Sequence, residues 1–395
     1  MASEVVIVAA ARTPIGSFGG ALASVSAVEL GAIALKEAIK RCGIQPSMIE
    51  ELLFGNVLSA NLGQSPARQV AVESGLACNV VCTTINKVCS SSLKATSLGA
   101  QAILTGTADI VAVAGAESMS NTPHYLPDAR FGKKMGHGST VDGLLKDGLW
   151  DPFNDHHMGI AAELCSEFHG LSREQQDRFA CESYRRASEA YDCGLMQSEI
   201  APVSLEVKGG VKDIVEDEEY KRLIPEKVSK LKPSFKSDGG TVTAANSSPL
   251  SDGGAAVILM SSEKALELGV KPLAKITGFA DAEKRPEEFT TAPSEAIPKA
   301  LARAKLQLSQ VDYFEVNEAF SAVALANTKI LGLDPQRVNV FGGAVSLGHP
   351  LGCSGARILV TLLNVLEKRS ATTGVAAICN GGGGATAIAV ERVKS

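Results

Sequence analysis

The chain carries one structural unit twice. An apolar run ending in asparagine, Glu51-Leu52-Leu53-Phe54-Gly55-Asn56, resembles a second, Asp312-Tyr313-Phe314-Glu315-Val316-Asn317. A cluster of small residues that can open a helix begins at Cys89, 33 residues after Asn56, and another begins at His349, 32 residues after Asn317. Each leads into a helical pattern, residues 93–104 and 356–366, and then into an apolar strand. Repetition on this scale constrains a fold more than local propensity does, because both copies must bury the same faces. Two duplicated α/β halves are expected.

Other short β-rich runs, residues 5–10, 110–114, 257–260 and 375–379, alternate with helical segments in the manner of βαβ units. Ser26 and Glu29 spell a capping box ahead of Leu30 and Ile33, and Gly43 ends that helix. Between the copies the texture becomes charged and irregular. The expected organisation is an N-terminal half over 1–119, completed by about 248–272, an inserted loop domain over 120–247, and a C-terminal half over 273–395. Within the insert, Lys227, Lys230, Lys232 and Lys236 read as a solvated face.

Composition removes several classes of function. With 45% hydrophobic and 21% charged residues, the chain is not disordered. A net charge of −5 leaves no electrostatic footprint for nucleic acid or for an anionic membrane. No apolar run approaches the roughly 20 residues that span a bilayer. Nine cysteines, an odd number without a CxxC pair, argue against a disulfide framework or a zinc ribbon and for a reducing compartment. A strand that begins near Met1 leaves no room for a leader, and Val393-Lys394-Ser395 is not a Ser-Lys-Leu peroxisomal address. A cytoplasmic location is expected.

Four segments carry candidate chemistry. Cys89, in Asn86-Lys87-Val88-Cys89-Ser90-Ser91-Ser92, stands where a strand meets a helix, and a helix N-terminus favours thiolate over thiol. A buried structural cysteine is the plainer alternative. His349, in Gly348-His349-Pro350, is held by proline outside α geometry in a glycine-rich loop, a place suited to a general base and equally to a hydrogen-bonded core histidine. Cys379 ends a strand and is followed by Asn380 and by Gly381 through Gly384, whose N–H groups can gather on one oxygen. This run has neither the GxGxxG spacing of a dinucleotide site nor the GK[ST] ending of a P-loop. Asn317-Glu318-Ala319-Phe320 puts an amide at a strand end, as an oxyanion or water ligand or as a helix cap. Two cysteines, a loop histidine and a strand-end asparagine at element junctions of both halves point to acyl transfer through a thiol.

These motifs, in this order and over nearly the whole chain, closely resemble those of thiolases; Ala10-Ala11-Arg12-Thr13-Pro14-Ile15-Gly16 fits as well. The resemblance implies an α/β, thiolase-like fold, with two duplicated βαβ-rich halves built on mixed five-stranded sheets in an αβαβα layering, plus the inserted loop domain. It implies Cys89 as the acylated nucleophile, His349 as the acceptor of its proton, and Cys379 as the base on the methyl of a second acetyl-CoA. One oxyanion hole would be His349 with a water on Asn317, the other the N–H groups of Cys89 and Gly381. The segment from Lys146 to Gly159 resembles the biosynthetic type, in which a methionine, here Met158, narrows the acyl pocket; the alternative is a broad-range 3-ketoacyl-CoA thiolase. Leu149, His157, Arg222, Phe235, Ser248, Ala319 and Phe320 would line the coenzyme A site. The partners implied are acetyl-CoA and acetoacetyl-CoA, with no covalently bound cofactor and a homotetramer formed through residues 120–140. Tyr184, Ala244, Ala245 and Val345 match a potassium site of the mitochondrial-type enzyme, where Ser247 replaces alanine. Ser90-Ser91-Ser92 departs from the family's usual small residues.

Other classes compete with this reading. A cysteine hydrolase would not require Cys379. A decarboxylating ketoacyl synthase would carry histidine where this chain has Asn317, and a non-catalytic relative would have lost a thiol.

Overall fold

A computed structural model describes residues 4–393; Lys394 and Ser395, part of the C-terminal address considered above, lie outside the described residues. One ten-stranded sheet runs through the molecule in the order Val81–Ile85, Glu51–Gly55, Ile110–Ser118, Ser251–Ser261, Val5–Arg12, Ala274–Glu283, Gly384–Arg392, Thr373–Asn380 and Tyr313–Val316, with the short Gly16–Ser17 paired to Ser251–Ser261. At its middle only two residue pairs hold it together, Val6 with Lys275 and Ile7 with Ala274. The sheet is therefore two sheets hinged at a corner.

The two sides repeat one pairing pattern. Glu51–Gly55 lies parallel to both of its neighbours, and Ile110–Ser118, Ser251–Ser261 and Val5–Arg12 follow antiparallel. Tyr313–Val316 is likewise parallel to Thr373–Asn380, and Gly384–Arg392 and Ala274–Glu283 follow antiparallel. The fifth place on this side is reduced to a single parallel bridge from Phe314 to Val338.

Between the sheets lie two helices, Ser91–Leu104 and Leu351–Lys368, packed on each other and on strands of both sides. Every residue from Leu351 to Leu366 is buried, as a helix enclosed on all sides requires. Ala27–Cys42 and Pro293–Ala304 cover the outer faces, completing the layering. The capping box forms as the sequence dictates: Ser26 accepts from the Glu29 N–H, the Glu29 side chain accepts from Ser26 N, and Gly43 ends the helix at φ +70°. No described helix is long and apolar enough to cross a membrane.

Glycine permits the inner packing. A Cβ on Gly55 would lie 2.5 Å from Ser92 N, one on Gly115 2.4 Å from Gly352 O, and one on Gly355 2.4 Å from Leu93 N. These neighbours are backbone atoms and cannot swing away. Within a helix, Gly→Ala ordinarily stabilises by about 1 kcal/mol. At Gly355 the collision reverses the sign, and Gly355→Ala is expected to cost about 1–3 kcal/mol, the usual range for overpacking. Urea unfolding checks this, and an unchanged or raised midpoint would show that the helices can separate.

Candidate active site

The turn that presents Cys89 is strained and then tied down. Val88, a β-branched residue, adopts φ +47°, a conformation such side chains rarely take. Its N–H donates to Asn86 Oδ1 at 2.9 Å, Lys87 N donates to Ser91 Oγ at 2.9 Å, and Ser91 Oγ donates to Val88 O at 2.6 Å. The three serines that depart from the family pattern each have a separate task. Ser90 Oγ contacts Ile378 O and Asn380 Oδ1 at 3.1 and 2.9 Å, binding the Cys89 turn to the strand of Cys379. Ser92 Oγ reaches Cys353 O at 3.1 Å and accepts from Ala356 N at 2.8 Å, binding it to the helix that follows His349.

His349 enters from the other side. Gly348 turns the chain at φ +113°, where a Cβ would meet Ser251 Oγ at 2.3 Å, and His349 N donates to Pro249 O. The ring has Nδ1 2.6 Å from Ser354 Oγ and Nε2 3.5 Å from Asn317 Nδ2. Burial, with Arg357 adding to it, drives the imidazole down to about 3, so it is neutral at physiological pH.

Cys89 and Cys379 are both buried, and burial dominates their chemistry as well. The Cys89 thiol is pushed up to about 12, although the Gly381 N–H acts in the opposite direction. The sequence expectation is a thiolate stabilised at a helix start; Cys89 precedes the helix that opens at Ser91, and burial raises its thiol despite the N–H groups of Gly381 and Cys89. Cys379 is raised well above its ordinary value, first by burial and then by the charge of Cys89, which places the two sulfurs within electrostatic reach.

A cavity of about 400 Å³ opens on these groups and is lined by Cys89, His349 and Gly381 together with Leu149, His157, Met158, Phe235, Ser248, Ala319 and Phe320. Its wall is ordered by ring contacts: His157 stacks on Phe235 at 4.7 Å, and Phe235 meets Phe320 edge-on at 6.2 Å. His157 also caps the helix Met158–His169, Nδ1 accepting from Gly159 N at 3.0 Å. Met158, in the cavity lining, shares one buried cluster with Cys379, and its sulfur would lie 3.3 Å from a Cβ at Gly381.

Of the residues named from the sequence, Arg222 stands apart. Its side chain is half exposed, pairs with Glu219 at 3.3 Å and does not line the cavity. Tyr184 and Val345 share a separate buried cluster; Ala244 faces the cavity instead, and Ser247 donates its hydroxyl to Thr243 O at 2.7 Å. Lys227, Lys230, Lys232 and Lys236 are exposed.

Sequence reading missed Glu117, which the duplication could have revealed. Gly55 is paired with Gly115 and Val316 with Ala377, so two residues further on Glu117 occupies the place of Cys379. By the same correspondence Asn56 answers to Asn317, and Cys89 answers to His349 because each stands two residues ahead of its helix. Glu117, fully buried, accepts from Asn56 Nδ2, Val57 N, Leu58 N and Gly352 N at 2.8 to 3.0 Å. It thereby fixes the start of the helix behind His349. Burial still raises its carboxyl to about 7.

Comparison with known proteins agrees with this architecture. Residues 5–263 match the thiolase N-terminal domain and residues 270–392 the thiolase C-terminal domain, and the chain belongs to the thiolase family. It is 56% identical to an acetyl-CoA acetyltransferase of Schizosaccharomyces pombe over 99% of both chains. It is also 56% identical to the protein of Gibberella zeae named acetyl-CoA acetyltransferase ERG10, cytosolic, over 99% of this chain and 98% of that one. Among solved structures it resembles the Acat5 thiolase of Ascaris suum in complex with coenzyme A, with a TM-score of 0.93 and 49% identity over 99% of this chain and 100% of that chain.

A thiol raised to about 12 beside an imidazole lowered to about 3 is a neutral pair at rest. Raising the pH increases the thiolate fraction only as the thiol pKa is approached, so alkylation of Cys89 by iodoacetamide is expected to accelerate continuously from pH 6 to pH 9. Mass mapping of the alkylated peptide follows it. A rate that levels off below pH 7 would reveal a preformed thiolate–imidazolium pair.

Proposed function

We propose that this chain is an acetyl-CoA acetyltransferase, which condenses two acetyl-CoA reversibly to acetoacetyl-CoA and coenzyme A through an acetyl-cysteine. The observation that carries this is an apolar cavity lined by Cys89 and a neutral His349, with a second buried cysteine, Cys379, in the hydrophobic cluster of Met158, Ala319 and Phe320 from the same lining. A hydrolase needs only one of those thiols.

In the proposed mechanism, Cys89 gives its proton to His349 Nε2 as the sulfur attacks the thioester carbonyl. The carbon–sulfur bond to coenzyme A then breaks, and the departing thiolate takes the proton back from His349. The carbonyl oxygen, negative in between, is held by N–H groups of Cys89 and Gly381 or by His349 with a water on Asn317. Cys379, whose thiol is held up by burial, by Cys89 and by Cys165, first releases its own proton to solvent. Its thiolate then takes a proton from the methyl of the second acetyl-CoA. The resulting carbanion attacks acetyl-Cys89, the carbon–carbon bond forms as the carbon–sulfur bond breaks, and Cys379 returns the proton to Cys89.

Coenzyme A would lie along Leu149, His157, Phe235, Ser248, Ala319 and Phe320, all of which line the cavity. A potassium ion would be held by Tyr184, which stands near Glu219 and Glu318, together with Val345, Ala244 and Ala245. It would add positive charge beside the pocket wall. The homotetramer is supported by the segment 120–140, where Leu126, Phe131 and Met135 are exposed, the last two by 90% or more. The division at 120–247 is supported by the absence of any long strand of the main sheet in that stretch. The cytoplasmic location is supported by the Gibberella zeae relative, which is named cytosolic.

Incubation with acetyl-CoA and peptide mapping is expected to place the acetyl group on Cys89. Cys379→Ser should retain that step and lose condensation by about 10²–10⁴-fold, the usual weight of a general base. Acetyl on Cys379 alone, or equal loss of both steps, would overturn the assignment.

Met158 in the cavity wall makes a prediction about chain length. Wild type is expected to prefer acetoacetyl-CoA to 3-ketooctanoyl-CoA by at least about tenfold in kcat/KM, and Met158→Ala to narrow the gap, because excess methylenes in a filled pocket cost about 1–3 kcal/mol. Thiolysis of both substrates side by side checks it. Equal rates in wild type would favour the broad-range thiolase reading.

A further inference from the structure

Arg357 is difficult to explain as a structural ion pair. It is 1% exposed, its Nε and Nη1 have no hydrogen-bond partner, and its approach to Glu315 is long, at 3.8 Å. A core guanidinium is costly unless its donors are used. Its one side-chain hydrogen bond among the described residues runs from Nη2 to Asn317 Oδ1, at 3.4 Å.

We infer that Arg357 is a positioning residue, which acts through Asn317 to hold His349 in the tautomer whose Nε2 carries no proton and can exchange the Asn317 amide for the Cys89 proton, with Ser354 closing the same relay. The inference rests on the proposed role of His349 as acceptor of that proton. Arginine only donates, so Asn317 must turn its oxygen toward Arg357 and its amide nitrogen toward His349 Nε2, 3.5 Å away. That nitrogen meets an acceptor only if Nε2 is bare, and the ring proton is then on Nδ1. Nδ1 donates to Ser354 Oγ at 2.6 Å, and the Ser354 hydroxyl donates to Pro350 O at 2.9 Å. The chain of donors runs in one direction because it starts from a group that cannot accept. An asparagine without that anchor can rotate half a turn and favour the opposite tautomer, in which Nε2 already carries a proton. Ser354 and Arg357 are three residues apart on one helix, so a single face of Leu351–Lys368 supports both ends of the relay.

The test measures the rate of Cys89 acetylation by acetyl-CoA, by rapid quench and mass spectrometry, in wild type, R357Q, R357K and E315Q. Glutamine can offer either end of its amide to Asn317, lysine remains a donor only, and E315Q removes the ion pair without touching the relay. R357Q is expected to slow acetylation at saturating acetyl-CoA by about 10–100-fold, with half-saturation changed by less than about threefold. R357K is expected to recover to within about fivefold of wild type, and E315Q to stay within about twofold. If R357Q does not fold with Glu315 left alone, E315Q/R357Q removes the orphaned charge and carries the same expectation. R357Q at the wild-type rate, R357K no faster than R357Q, or E315Q as slow as R357Q would overturn the relay. A wild-type enzyme that is never acetylated at Cys89 would instead refute the thiolase mechanism itself.

Discussion

Two helix beginnings meet at backbone distance in the centre of this molecule, and the rest of the structure depends on that contact. Gly55, Gly115, Gly352 and Gly355 remove the side chains that would keep Ser91–Leu104 and Leu351–Lys368 from each other and from the sheet. Ser92 then bridges the helices through its hydroxyl. Because Cys89 and His349 stand just ahead of these helices, bringing the helix starts together also brings the sulfur and the imidazole together.

The interior has a second consequence, which is electrostatic. Packing this close excludes water, and every ionisable group near the cavity responds. The thiols and Glu117 move up and His349 moves down, so the resting site carries less charge than its residue types suggest. Neutral groups of this kind cost little to bury. Charge then appears only during reaction, where fixed N–H donors await it.

Much of this was legible in the sequence. The repeated apolar run ending in asparagine located equivalent strands, the capping box located a helix, and four motifs named residues of which Cys89, His349 and Gly381 line one cavity, with Cys379 in a buried cluster shared with its lining and Asn317 beside His349. The strands Val81–Ile85, Ala274–Glu283 and Gly384–Arg392 escaped. Gly384–Arg392 begins inside the glycine run that follows Cys379, and Val81–Ile85, though rich in β-branched residues, is a partly exposed edge without alternation of apolar and polar positions. Ala274–Glu283 alternates buried and half-buried positions across Lys275, Thr277 and Gly278, too weak a pattern to announce itself. How far burial raises the Cys89 thiol was not legible for a related reason: a helix start can be read from neighbouring residues, whereas desolvation is supplied by distant ones.

The pseudo-symmetry has an implication for how such a site can arise. Two identical copies of this unit, joined across Val6–Lys275 and Ile7–Ala274, would place the same residue at both helix entrances and the same residue at both strand ends. The chain instead carries cysteine opposite histidine and glutamate opposite cysteine, at Cys89 and His349 and at Glu117 and Cys379. On the roles proposed for these groups, the ancestral doubling supplied only a symmetric frame, and the catalyst came with its breaking. Any event that copied one half over the other would preserve the architecture and abolish the chemistry.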